Sequence, residues 1–394
     1  MKRPVIAIVS PGSYAVPSAT SSSVELVIEQ VAKRLARDAT PVVFGKKEKD
    51  RPSVEDLDGV RYVRVRAVTP RSYMKRVSRK LAAYRPQVIQ VENRPRFIRY
   101  LRRRHPKASL WLVLHSLTFV SRPHIRASEL RSCLAAADRI IVNSHFLREE
   151  MIRKAPRMMH KMVVNHLGVD TEGFTSRWTE ESEHQRQMTL HQMGLAGKKI
   201  ILYVGRLIKI KGVHNLLLAM PQIVERIPEA VLLVVGSSTY GSNRATPYVK
   251  YLWELGSQMP QHVRFIPYVP HTEISRWFHL ADVLVVPSNQ KEAFGLVNVE
   301  AMASGVPVVA TRAGGMMEII EHEMTGFLID SSIVNRELPQ RIHDILTQEG
   351  LAQRFGQESL KRVREHFTWD WTAHRLLKLL EQSPKKSKSK KKLK

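Results

Sequence analysis

The 394-residue chain has a single cysteine, Cys133, so no disulfide can form within it. That excludes a disulfide-stapled scaffold and agrees with a reducing compartment. In Ser132-Cys133-Leu134-Ala135-Ala136 the thiol reads as a small helix-packing group. No stretch approaches the roughly 18 apolar residues that a bilayer-crossing helix needs. Met1-Lys2-Arg3-Pro4 and the short apolar run behind it lack a signal-peptide core and cleavage site, so a cytoplasmic protein is expected, peripheral at most to a membrane or an assembly. Acidic residues are also scarce: 36 Asp and Glu against 63 Lys and Arg leave +27. A field of that sign favours polyanions or anionic surfaces without choosing among them. Gly and Pro, 19 and 21 residues, are too few for a collagen or low-complexity chain, and 43% apolar residues is ordinary globular usage.

What is present is a repeated alternation of short Val/Ile-rich runs with segments of helical period, the pattern of helices covering both faces of a parallel sheet. Strands are expected at Val5–Val9, Thr40–Phe44, Val60–Val65, Val88–Val91, Ser109–Leu114, Arg139–Val142 and Met162–Asn165. After a polar stretch from Thr171 to Met193, which interrupts the pattern, they resume at Lys199–Val204, Val231–Val235, Val263–Ile266, Val283–Val286 and Val306–Thr311. The expected fold class is therefore α/β, with two doubly wound Rossmann-like domains, residues 1–175 and 176–366. An amphipathic segment, 367–382, and a Lys/Ser tail, 383–394, expected to be disordered, follow them. Ligands in such sheets bind beyond the carboxyl ends of the strands. The unusual residues fall there: Ser10-Pro11-Gly12, His115, Gly205-Arg206, Gly236, Pro287-Ser288 and Gly314-Gly315. Two such edges facing each other across a cleft suit transfer between two substrates.

In Gly205-Arg206-Leu207-Ile208-Lys209-Ile210-Lys211-Gly212, glycine lets the backbone approach a ligand, and Arg206 and Lys211 can meet a diphosphate as a fork and a point charge. Each cation about 4 Å from a phosphate charge is worth on the order of 4 kcal/mol at an effective dielectric of 20. Taken alone, both would pass for solvated surface charge. The segment from Pro287 to Ala303 reads as strand end, loop and helix. Amides near Phe294, Gly295 and Leu296 sit where a helix N-terminus holds phosphate oxygens. Glu292 and Glu300 flank that point. Eight helical residues span about 12 Å, too far for the paired carboxylates of a retaining hydrolase, so the two acids have separate tasks. The plainer alternatives are a loop acid at a helix dipole and a solvated helix acid.

Gly205-Arg206 with Lys211-Gly212, Glu292-x7-Glu300, Glu300-Ala301-Met302-Ala303-Ser304-Gly305-Val306-Pro307 and Gly314-Gly315-x-x-Glu318, in this order and spacing, resemble the retaining nucleotide-sugar glycosyltransferases of family 4, which have the two-domain GT-B fold. Ala137-Asp138-Arg139-Ile140-Ile141-Val142-Asn143-Ser144 and Gly168-Val169-Asp170 with Phe174 extend the likeness across most of the chain. The resemblance implies that Arg206 and Lys211 grip the donor diphosphate and that Glu292 binds sugar hydroxyls. Glu300 would bind the ribose, with Gly205, Phe294, Gly295 and Leu296 completing the donor site and the backbone at Tyr268 and Val269 meeting the base. His115 would approach the reacting carbon from the opposite domain, although a lone histidine after a strand is more often structural. Gly12, Ser22 and Ser23 would form the acceptor-side loop, and the 367–382 helix would return to the first domain. The donor would be a nucleoside diphosphate sugar and the acceptor an alcohol of unspecified identity, with no cofactor. The two cations can stabilise the leaving group, so no metal is expected. The chain departs from the family at Ser21-Ser22-Ser23, where Gly-Gly is usual, at His166 for Asn, and at Pro267 for Gly. Ser22 and Glu25 can form a capping box.

Residues 71–107 hold 13 Lys and Arg against one acid, Glu92, and the tail adds seven lysines. Partners of that charge could be an anionic membrane, an acidic glycan or a spore-coat assembly, since Val91-Glu92-Asn93-Arg94-Pro95 and His115-Ser116-Leu117-Thr118-Phe119 resemble a branch associated with bacterial spore coats. Specific nucleic-acid binding is not expected, because no helix-turn-helix, zinc or RNP signature occurs. The alternative to an enzyme is a spore-coat or surface structural protein that keeps the fold with little turnover.

Overall fold

In Val5–Val9 (β1), successive residues point to opposite faces and both sets are apolar: Ile6 and Ile8 on one, Ala7 and Val9 on the other. Such a strand is stable only between two covered faces. The computed structural model, which describes residues 3–18, 22–239, 245–289 and 291–382, builds two sheets on this rule. In the first, β1 is joined by β2 (Thr40–Lys46), β3 (Val54–Leu57), β4 (Val60–Val65), β5 (Val88–Glu92), β6 (Ser109–Leu114), β7 (Arg139–Val142) and β8 (Met162–Val164). Their order is β3-β4-β2-β1-β5-β6-β7-β8, parallel except where β3 pairs with β4. Helices α1 (Ser23–Leu35), α2 (Pro70–Tyr84), α3 (Pro95–Arg104), α4 (Ala127–Ala135) and α5 (His145–Lys154) lie between them.

Helix α6 (Glu180–Gln192) leads into β9 (Lys199–Val204), α7 (Val213–Arg226), β10 (Ala230–Val235), α8 (Pro247–Ser257), β11 (Val263–Ile266), α9 (Ser275–Leu280) and β12 (Val283–Val286). Then come α10 (Leu296–Ala303), β13 (Val308–Thr311), α11 (Met316–Ile319), β14 (Gly326–Ile329), α12 (Val334–Thr347), α13 (Leu351–His366) and α14 (Trp369–Glu381). The second sheet is wholly parallel, in the order β11-β10-β9-β12-β13-β14. The chain winds outward from β9 in one direction and from β12 in the other, so a crevice opens beyond their carboxyl ends. The first sheet has the same reversal between β1 and β5.

The expected two-domain α/β architecture is present, with three local differences. The polar stretch expected to interrupt the pattern contains α6. Its buried side is made by Leu190 and by Arg186, whose Nη2 donates to both Asp282 carboxylate oxygens at 3.0 Å, so an ion pair replaces the apolar stripe that marks a helix in sequence. The edge strand β3 and the four-residue β14 went unread because neither carries a buried Val/Ile run of useful length. Helix α14 packs on α1 of the first domain, burying Trp369, Thr372, Ala373, Leu376 and Leu379. Asp370 meets Arg37 at 2.7 Å, and Asn165 donates to the Thr372 carbonyl at 3.1 Å. The Lys/Ser tail, 383–394, and Ser21 lie outside the described residues. Among the described residues no helix is long and apolar enough to cross a membrane.

Candidate active site

The β9–α7 and β12–α10 loops meet at the crevice of the second sheet. Gly212 is left-handed (φ +69°), and a Cβ there would fall 1.9 Å from the Pro287 carbonyl oxygen, so only glycine allows the approach. Asn289 N–H donates to the Ile210 carbonyl at 2.8 Å and ties the loops together. As a result the Lys211 ammonium donates to the Glu292 carboxylate, 81 positions away, with both side chains only about a fifth exposed (22% and 20%). Arg206 stands exposed at the mouth. Its carbonyl accepts from the Tyr203 hydroxyl at 3.0 Å, and the N–H of Gly205 donates to the Val235 carbonyl at 3.0 Å.

From Glu292 the chain crosses Gly314-Gly315. The N–H of Gly315 donates to the Glu292 carbonyl at 2.9 Å, and a Cβ on Gly314 would lie 1.9 Å from that same oxygen. Helix α10 then begins with Gly295 as its left-handed cap and no side chain capping it, which leaves first-turn amides for an anion. Phe294, the residue before that cap, is buried, its ring 6.0 Å from His166 and 6.1 Å from Phe367. Leu296 opens the helix. Glu300, buried one turn further in, accepts from His271 Nε2 at 2.8 Å. Burial opposes charging of His271, but the bond to Glu300, the charge of Glu300 and that of Glu29 on α1 outweigh it and hold the imidazole above its ordinary value. Tyr268 and Val269, half-buried, follow β11 on the far side of the crevice.

On the first domain the loop after β1 carries Gly12, whose N–H donates to Ser10 Oγ at 3.3 Å and whose Cα lies against the buried Tyr73 ring. Ser22 caps α1 by accepting from Val24 N–H at 3.3 Å, and Ser23 is exposed beside it. Glu25 points inward: it is 1% exposed, takes the Ser22 hydroxyl, and burial raises its carboxyl above the usual range. The Ser22–Glu25 pair is therefore an interior contact as well as a helix start. The His115 ring is likewise turned into its own domain. Its Nε2 is 2.8 Å from the buried Glu92 carboxylate, which also accepts from Gln90, and its Nδ1 is buried with no hydrogen-bond partner among the described residues. It borders a partly open space of about 20 Å³, room for about one water, shared with Asn143 and Asn165. His115 thus stands at the carboxyl end of β6 with its ring held by Glu92 at the end of the neighbouring strand β5.

Ser144, His166 and Glu318 stood in the sequence only as motif positions, and nothing there signalled that they join the halves. Ser144, the cap of α5, donates to the Ala293 carbonyl across the cleft. Glu318 accepts from the N–H groups of His145 and Phe146, both at 2.8 Å, and from His166 Nε2 at 2.9 Å. The Gly314-Gly315-x-x-Glu318 spacing thus does two things: it seats the Glu292 backbone and caps a helix of the opposite domain. Ligand atoms of His145, His166 and Glu318 lie within 4.8 Å of one another, but both Glu318 oxygens are committed to these bonds, which makes the trio a domain clamp.

Two doubly wound domains facing across a cleft, with a paired Lys–Glu and an uncapped helix start at the second domain's crevice, define a glycosyltransferase of GT-B architecture. The family profile described as Glycosyl transferases group 1 matches residues 190–362, and that described as Glycosyltransferase Family 4 matches residues 24–173. Spore coat protein SA of Bacillus subtilis is 31% identical over 96% of this chain and 99% of its own length. YtcC of the same organism is 28% identical over 91% of this chain and 88% of its own length. Among solved structures, sucrose-phosphate synthase of Thermosynechococcus elongatus superposes with a TM-score of 0.76 at 23% identity, covering 96% of this chain and 99% of that one. HepE of Anabaena, solved with UDP-glucose, gives 0.77 at 20% over 96% and 100%. The chain belongs to the family 4 glycosyltransferases, in the branch that includes the spore coat protein.

Proposed function

We propose that the protein transfers a glycosyl group from a nucleoside diphosphate sugar to an acceptor hydroxyl, with retention at the anomeric carbon and without a metal ion. The observation that carries this reading is the meeting of the two loops at the β9–β12 crevice, which sets Lys211 on Glu292 just ahead of the uncapped start of α10. A diphosphate entering there would draw Lys211 from Glu292, take Arg206 at the mouth and end on the amides of Gly295 and Leu296. Glu292, released, would accept sugar hydroxyls, and Glu300, steadied by His271, would accept from the ribose. The bond from the anomeric carbon to the diphosphate oxygen breaks with its electrons leaving on phosphate. The acceptor oxygen bonds to that carbon on the same face, and its proton passes to the departing phosphate oxygen. Cations and amides already in place stabilise that charge at little reorganisation cost. His115 on its Glu92 anchor would form the opposing wall, and the Gly12, Ser22 and Ser23 loop the acceptor side.

The test is a thermal-shift screen of nucleoside diphosphate sugars, beginning with UDP-glucose because HepE was solved with it. Donor hydrolysis by wild type and Glu292→Ala then follows, with product configuration read by NMR and with EDTA present. A native-state ligand at about 100 times its Kd stabilises by about 2.7 kcal/mol. No shift with any donor, or hydrolysis untouched by Glu292→Ala, would refute the assignment; an inverted product or EDTA sensitivity would refute the finer parts. A coat protein without turnover has no use for the intact set of Arg206, Lys211, Glu292 and Glu300 and is the less favoured reading.

A further inference from the structure

Helices α2 and α3 both start at the carboxyl edge of the first sheet and run back along the same face, packing against it through Tyr73, Met74, Val77 and Leu81 and through Phe97, Ile98 and Leu101. Between their outward sides lies an open groove of about 380 Å³ lined by Lys75, Ser78, Arg79, Tyr100, Arg104 and His105. The Arg104 guanidinium lies 3.9 Å from the Tyr100 ring centroid, and Ser78 Oγ is 3.0 Å from His105 Nε2. Lys75 and Arg79 have no ion pair among the described residues. Exposed Arg71, Arg76, Lys80, Arg99, Arg103 and Lys107 lie on or just beyond the same two helices. Glu92, the one acid in this stretch of sequence, is buried against His115. Like charges crowded this way repel one another until a counter-charge arrives.

The geometry also selects among counter-charges. Neither helix exposes a large apolar side chain, whereas a face that inserts into a bilayer carries bulky apolar groups. A flat surface would rest on the helix ridges, while a narrow chain can enter between them. Forked guanidinium groups beside an ammonium match phosphate oxygens. We propose that the α2–α3 groove binds successive phosphate groups of an extended polyanionic chain, holding the enzyme on a phosphate-rich polymer outside its catalytic cleft.

Binding of fluorescent inorganic polyphosphate to the full chain, followed by anisotropy in about 0.1 M salt, tests this. The triple variant Lys75→Gln, Arg79→Gln, Arg104→Gln is expected to bind at least about tenfold more weakly, since each removes a phosphate contact. A control triple at exposed cations elsewhere, Lys49→Gln, Lys250→Gln, Lys361→Gln, is expected to lose less than about twofold. Equal losses in both triples would overturn the proposal, as would loss only on deleting 383–394, or capture by phosphatidylglycerol vesicles without polyphosphate binding. A second reading needs no variant. Burial and the nearby Arg104 hold His105 below its ordinary value, and a phosphate in the groove would raise it in an NMR titration; an unmoved His105 with polyphosphate bound would overturn the assignment. Donor turnover at the cleft is expected to be unchanged in the groove variant, and a parallel loss would place these residues in the catalytic machinery instead.

Discussion

Glu318→Gln removes a charge from the joint between the domains while keeping the size of the side chain. The carboxylate accepts three hydrogen bonds, two from backbone amides at the start of α5 and one from His166. Bonds to a charged group contribute about 1.5–3 kcal/mol each, and a negative charge at a helix N-terminus adds about 0.3–1 kcal/mol. The amide keeps one acceptor oxygen and the released groups recover water, so about 2–4 kcal/mol of stability should be lost at pH 7. Burial alone would raise this carboxyl, but the bond from His166 and the two amides hold it below its ordinary 4.5. With a depressed folded value, the stabilisation is fully present above pH 4.5 and disappears as pH falls through the lower folded value. Urea unfolding by tryptophan fluorescence should therefore show wild type well above the variant at pH 7 and the gap closing as pH falls below 4.5 through the lower folded value. A variant as stable as wild type at pH 7, or a gap that persists undiminished in acid, would refute the clamp.

Lys211→Gln should lower donor hydrolysis by about 10²–10³-fold, the loss typical of one preorganised charge-stabilising donor, while unliganded melting changes little. Gly212→Ala places a methyl 1.9 Å from the Pro287 carbonyl in a left-handed position, so the β9–α7 and β12–α10 loops should part and the donor-induced thermal shift should vanish. His271→Ala should raise the donor KM more than it lowers kcat. Because the folded imidazole is raised by Glu300, the wild-type advantage in unfolding should be full below pH 6.5 and fade as pH rises through the folded value. Cys133 is buried and its thiol is pushed up to about 11, so it should resist a thiol reagent at pH 8 in the native protein and react fully in guanidinium.

The strands and their carboxyl-end loops were legible because they are buried on both faces, which forces apolar runs such as Val231-Leu232-Leu233-Val234-Val235 and leaves Gly, Pro and charge for the loops. Helix α6 was not legible as a packed element. Its interior contact is Arg186 on Asp282, and an ion pair 96 positions apart leaves no local period. The donor-side residues could be gathered into one region from strand order alone, but nothing local says that Lys211 lies on Glu292, since that contact depends on Gly212 touching Pro287.

The first-domain face shows what spacing cannot carry. Glu92-Asn93-Arg94 and the segment from His115 to Phe119 are two separate strings in the sequence, yet the parallel pairing of β5 with β6 places them side by side. Glu92 then holds the His115 ring, Asn93 Oδ1 accepts the His115 N–H at 2.8 Å, and the Arg94 guanidinium lies 3.6 Å from the Phe119 ring centroid. Arg94 also reaches Ser13 of the β1 loop at 3.3 Å, so the β1–β5 crevice is closed by residues from three loops. The His115 ring and its backbone N–H both find their partners on the neighbouring strand end, so the orientation of His115 follows from sheet order and is invisible to any reading that treats the histidine alone.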